Sequence, residues 1–180
     1  MVKLFLTDVD GCMTDGGMYY GNDGTELKRF CVYDGMGMML LRQAGVPCGI
    51  LTSERVQLVV NRARKLNLDY LYLGTGSKAG QDSTIRYSPA RAEAQQLPFR
   101  TKREAAEDIC SELGITLSEV CFVGDDVNDI DLLQAVGYPM CPPNAVPEVL
   151  TVPGIRVLNT AGGQGAIREA TGLALQTLDK

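Results

Sequence analysis

Three observations predict an α/β fold whose parallel sheet is covered on both faces. Short apolar runs alternate with amphipathic stretches along the chain. Two acidic clusters, at Asp8-Val9-Asp10 and Gly124-Asp125-Asp126, each directly follow an apolar run, and open α/β sheets place ligands at such strand ends. The chain has 180 residues, 45% of them apolar and 22% charged, which suits one soluble domain, 1–180.

Taken in order, Val2 to Thr7 reads as the first buried strand. Residues 17–30 place Asn22-Asp23-Gly24 between two β-prone runs, the pattern of a hairpin. A helix is expected from Gly37 to Ala44, closed by Gly45, and a second strand from Val46 to Leu51, ending at Thr52-Ser53. Val56, Val59, Val60, Ala63 and Leu66 mark the apolar face of the next helix. Tyr70 to Leu73 is the third strand, Glu104 to Leu113 a helix stopped by Gly114, and Val120 to Val123 the fourth strand. A short helix near 130–136, a small strand at 138–141, a Pro-rich turn, a strand at 155–158 and a helix over 165–178 complete the pattern.

Residues 75–101 fit poorly, having Gly, Ser, Gln and Pro but little apolar periodicity. They read as a long insertion without regular structure, which in compact domains is uncommon and often functional. Lys78, Arg86, Arg91, Arg100, Lys102 and Arg103 outnumber Asp82 and Glu93 over 77–103, a basic stretch that reads equally as an attractor for an anionic substrate or as a solvated surface excursion.

Composition narrows the chemistry. A net charge of -5 argues against nucleic acid as the partner, no apolar stretch approaches membrane-spanning length, and Met1 leads straight into the first strand. The expectation is a cytoplasmic chain that binds neither nucleic acid nor membrane, with its six cysteines reduced. There is no histidine, so Ser-His-Asp and Cys-His nucleophile arrangements are excluded. Acid–base work falls to carboxylate, lysine, tyrosine or cysteine. Asp8 and Asp10 project the same way from the strand tip, and two such carboxylates call for a hard cation with oxygen ligands, such as Mg2+.

With Thr52 ending the second strand and Asp125, Asp126 and Asp129 following the fourth, the chain resembles the haloacid dehalogenase superfamily of phosphohydrolases. That resemblance implies a three-layer Rossmann-like parallel sheet with a β-hairpin flap (17–30) after strand one and no cap domain. It implies a phosphatase in which Asp8 is the nucleophile, forming an aspartyl-phosphate, and Asp10 the acid–base. Thr52 would hold a phosphoryl oxygen and a lysine would balance charge. Mg2+ would be bound by Asp8, Asp10 and Asp125, with Asp126 and Asp129 supporting. The lysine is Lys78 when counted forward from strand three and Lys102 when counted back from Gly114. Lys102 is favoured because a helix start fixes its side chain relative to the sheet.

Three segments resemble more closely the capless branch that cleaves 2-keto-3-deoxy sugar acid phosphates: Thr14 to Tyr20, Lys28 to Phe30 with Asp34 to Gly37, and Gly162 to Glu169. Members of that branch are typically tetramers in which a neighbour closes the site. Octulosonate 8-phosphate phosphatases usually carry Thr-Gly-Arg where this chain has Thr52-Ser53-Glu54. Glu54, with Arg62 and Lys65, looks more like the nonulosonate 9-phosphate phosphatases, implying that these three read the sugar acid. A non-catalytic assembly domain of the same fold, or a phosphatase of another small metabolite, is the alternative. A receiver-type signalling domain would need its acceptor aspartate after strand three, where Leu73-Gly74 offers none.

Overall fold

A computed structural model describes residues 1–76, 83–88 and 92–178. The strands are β1 (Leu4–Thr7), β2 (Tyr19–Tyr20), β3 (Glu26–Leu27), β4 (Cys48–Thr52), β5 (Tyr70–Leu73), β6 (Ser83–Ser88), β7 (Glu93–Pro98), β8 (Val120–Val123), β9 (Tyr138–Cys141) and β10 (Arg156–Val157). The helices are α1 (Val32–Gln43), α2 (Gln57–Lys65), α3 (Lys102–Leu113), α4 (Ile130–Ala135), α5 (Pro147–Leu150) and α6 (Ala166–Leu175).

One sheet runs in the order β10-β9-β8-β1-β4-β5-β6-β7. From β10 to β5 neighbouring strands are parallel. Alternation along β1 sends Phe5 to one face, with Met38, Leu41, Val59, Ala63 and Ile167, and Leu4 and Leu6 to the other, with Ala105, Ile109, Leu132 and Leu133. Helices therefore cover both faces, giving the three layers predicted. No helix is long and apolar enough to cross a membrane among the described residues.

The sheet is not wholly parallel. β6 pairs antiparallel with β5, and β7 antiparallel with β6, so the segment expected to lack regular structure is a hairpin that widens the sheet. β7 was hidden because it is an edge strand, exposed along most of its length, and burial left no imprint on its residues. The basic stretch is also largely neutralised. Arg86 pairs with Glu112, Arg100 with Asp108, and Arg103 with Glu107 and Asp131. That corrects the first of the two readings, a free anion-attracting surface at these residues.

α1 starts five residues before its predicted start, because Gly35 and Gly37 weaken the helix pattern. Both are close-packing positions. A Cβ at Gly37 would come within 2.2 Å of Thr171 Oγ1, and one at Gly35 within 2.7 Å of Leu66 Cδ2. The small hairpin pairs Tyr19 with Leu27 and Tyr20 with Glu26, inside the predicted 17–30.

Candidate active site

β1, β4 and β8 lie side by side, so Asp8, Thr52 and Asp125 converge at their C-terminal ends. β1 stops at Thr7, and Asp8 and Asp10 sit on a tight turn in which the amides of Cys12, Met13 and Thr14 all donate to Val9 O. The turn, rather than strand alternation, brings both carboxylates to one cleft. That cleft has a volume of about 290 Å³ and is lined by Asp8, Asp10, Thr52, Glu54, Asp125 and Asn128 among others, including Asp126.

Gly11 has φ +77°, and a Cβ there would fall 1.9 Å from Asp125 Oδ2. Only glycine lets the first acidic turn approach the second this closely. Asn144 locks the same turn from behind. Its Nδ2 donates to Gly11 O at 2.9 Å, and its Oδ1 accepts from Gly162 N at 2.7 Å.

Lys102 is the first residue of α3, whose start is fixed by a capping box between Thr101 and Glu104. Its ammonium is buried, 2.7 Å from Asp8 Oδ2 and 2.6 Å from Asp129 Oδ1. Burial opposes its charge, yet the Asp129 and Asp8 carboxylates prevail and hold its pKa above the ordinary lysine value. Lys78, the second choice, lies outside the described residues.

Asp129 is fully committed. Its Oδ2 accepts from the amides of Asp125 and Asp126, so it orients the acidic loop and anchors Lys102. Asp126 is exposed and accepts from Val127 N. Asp8 and Asp125 are each pushed up to about 7. For Asp8 the main cause is burial, which Lys102 only partly offsets. For Asp125 it is burial, reinforced by the Asp8 and Asp129 charges. Asp8, Asp125 and Asp129 each offer a carboxylate oxygen within 4.8 Å of the others. With Asp129 spoken for, Asp8 and Asp125 form an oxygen-donor pair whose mutual repulsion a hard cation would relieve.

Thr52 Oγ1 accepts from Glu54 N at 3.2 Å, which leaves its own proton to donate. Glu54 enters the cleft beside Asp10. Arg62 and Lys65 do not line the cleft of this chain. The Arg62 guanidinium lies 5.1 Å from the Phe30 ring centroid and donates to Cys31 O, and Lys65 is exposed on α2. Arg62 is thus half-buried against the segment that follows the hairpin, while Lys65 faces solvent.

Sequence reasoning gave no site role to Lys28, whose ammonium stands 2.7 Å from both Asp10 Oδ1 and Glu54 Oε2. It also gave Cys12 no such contact, although Cys12 Sγ donates to Asp125 Oδ1 at 3.4 Å. A larger cavity of about 660 Å³ lies at the other end of the sheet, where β5 begins. Its arginines, Arg42 and Arg86, are already paired with Asp69 and Glu112, and no candidate residue reaches it.

A haloacid dehalogenase-like hydrolase family model matches residues 26–137. The chain is 32% identical over 179 residues to the 3-deoxy-D-manno-octulosonate 8-phosphate phosphatase KdsC of Yersinia pestis, covering 99% of this chain and 82% of that one. Among solved structures it is similar to the 3-deoxy-D-manno-octulosonate 8-phosphate phosphatase of Moraxella catarrhalis, in complex with magnesium ion, phosphate ion and KDO. The TM-score is 0.79 at 31% identity, covering 97% of this chain and 86% of that one. It is also similar to the cobalt-bound deoxy-D-mannose-octulosonate 8-phosphate phosphatase of Haemophilus influenzae, with a TM-score of 0.80 at 27% identity, covering 99% and 90%.

Proposed function

The chain belongs to the haloacid dehalogenase-like hydrolases, and from that premise we propose that it is a Mg2+-dependent phosphatase of a 2-keto-3-deoxy sugar acid phosphate. One observation carries the reading: a buried lysine pinned between Asp8 and Asp129 beside Asp125, at the ends of three adjacent strands. Asp8 attacks phosphorus in line, the bond to the sugar oxygen breaks, and an aspartyl-phosphate forms. Asp10 protonates the departing alkoxide, then takes a proton from the water that releases inorganic phosphate and regenerates Asp8. Thr52 donates a hydrogen bond from its hydroxyl to a phosphoryl oxygen, and Lys102 balances the charge gathered there.

The donor set fits Mg2+. Asp8, Asp125 and the Asp10 backbone carbonyl would hold it, and the cation would draw charge from the phosphoryl oxygens during transfer. Without it, burial and mutual repulsion favour protonated forms of Asp8 and Asp125 in the folded chain well above the ordinary value of 3.8 that applies to the unfolded chain. The folded state binds more protons in that window, so this contribution to stability falls as pH rises from about 4 to 7. Binding of Mg2+ at these carboxylates would release those protons. The Tm increase given by Mg2+ is therefore expected to be larger at pH 8 than at pH 5.5, and an equal increase at both would count against this metal site.

Octulosonate 8-phosphate is the favoured substrate, supported by the names of the similar proteins. Glu54, standing in the cleft, favours nonulosonate 9-phosphate as the second reading. Comparing kcat/KM on the two decides between them, and Glu54→Gln should change their ratio by about tenfold if Glu54 reads the sugar. If both are inert beside another phosphomonoester, the substrate class is wrong. Tyr19, Tyr20, Leu27, Val32, Tyr33 and Met36 are exposed on the hairpin and α1. We assign this apolar surface to assembly of four copies, which a light-scattering mass near that of four 19.4 kDa chains would support.

A further inference from the structure

We propose that Lys28 is a positioning residue that fixes the orientation of Asp10 and thereby couples the seating of the 17–30 hairpin to proton transfer. The inference rests on Asp10 being the acid–base of the reading above.

The hairpin cannot hold itself on the cleft. Its strands are two residues each, and Tyr19, Tyr20 and Leu27 are 46%, 66% and 61% exposed. An isolated hairpin of this size is not stable in water. Lys28 is different: its side chain has no accessible surface. Its Nζ lies 2.7 Å from Asp10 Oδ1, 2.7 Å from Glu54 Oε2 and 3.5 Å from Glu26 Oε1. One ammonium thus joins the hairpin, the turn after β1 and the loop after β4. A second clasp follows at once, where Arg62 covers Phe30 and donates to Cys31 O.

The consequence for Asp10 is directional. Oδ1 accepts from Lys28 at 2.7 Å and from Thr14 Oγ1 at 3.3 Å. Oδ2 has no hydrogen-bond partner among the described residues. The carboxylate is held by one oxygen, and the other is left for the leaving group. Without Lys28 only the longer Thr14 contact restrains it, and a general acid that turns away from its target loses most of its effect.

A leaving-group comparison separates this role from a merely structural one. kcat/KM reports the steps through phosphoryl transfer. An alkyl phosphate expels an alkoxide that needs a proton, whereas p-nitrophenyl phosphate expels a stable phenolate that needs little help. Lys28→Met is expected to lower kcat/KM for a simple alkyl phosphate by about 100-fold and for p-nitrophenyl phosphate by at least tenfold less. Lys28→Arg should recover part of the alkyl activity. Equal losses on both substrates, or no loss, overturn the proposal. Asp10→Asn serves as the reference. If it shows the asymmetry and Lys28→Met does not, the role of Lys28 falls alone. If Asp10→Asn shows none, the acid–base assignment and the Lys28 inference fall together. Neither result depends on which sugar acid is the natural substrate.

Discussion

Asp8→Asn is expected to lower kcat by at least about 10⁴-fold while leaving the fold standing. An amide is no nucleophile toward phosphorus, and loss of a nucleophile that forms a covalent intermediate falls in this range. The substitution is nearly isosteric, and it removes a charge that burial already opposes, as the elevated pKa of about 7 records. Val9 N, which donates to Asp8 Oδ1 at 2.7 Å, can still be satisfied by an amide oxygen. Lys102 loses one carboxylate but keeps Asp129 at 2.6 Å, so Tm should fall by less than when the lysine itself is removed. The same variant should gain less Tm from Mg2+ than the parent. Activity retained by folded Asp8→Asn protein would remove Asp8 as nucleophile.

The second large effect is expected on stability as well as rate. Lys102→Met keeps the length of the side chain but leaves Asp8 and Asp129 facing each other in the interior with no cation between them. Breaking one side of a buried ion pair costs about 3–5 kcal/mol, which corresponds to a Tm lower by about 10 °C. Turnover should also be lost, since the charge gathering on the phosphoryl group has no buried counterweight. Combining Lys102→Met with Asp8→Asn should destabilise less than the two single effects added together, because the second change removes a charge that the first left unpaired. Strict additivity in calorimetry would mean that the two groups do not share one electrostatic cluster.

The strand ends that build the cleft were legible because burial writes plainly there. The apolar runs of β1, β4 and β8 stop at the points where Asp8, Thr52 and Asp125 stand. The hairpin of β6 and β7 was not legible, since Glu93 to Pro98 forms an exposed edge. The ambiguity between Lys78 and Lys102 came from counting along the chain. The Thr101–Glu104 capping box, which places Lys102 at a helix start, was the stronger local signal. Lys28, noted only as part of a family-like segment, received no site role for another reason: its partners Asp10 and Glu54 come from two separate loops, and no spacing along the sequence encodes that meeting. Glu54 stands in the cleft on the turn after β4, whereas Arg62 and Lys65 lie on α2 and are not among the residues lining it.

The β6–β7 hairpin leaves and rejoins the domain at one place. Ser83 pairs with Pro98, and Arg100 N donates to Thr84 Oγ1 at 2.8 Å. Residues gained or lost inside that closed loop change the length of chain between β5 and α3 without displacing the start of α3. A change of length beyond the β5-paired part of the hairpin is therefore expected to leave the 2.7 Å contact of Lys102 with Asp8 in place. The exposed β7 edge is thus where surface can be added at a distance from the strand ends that build the cleft.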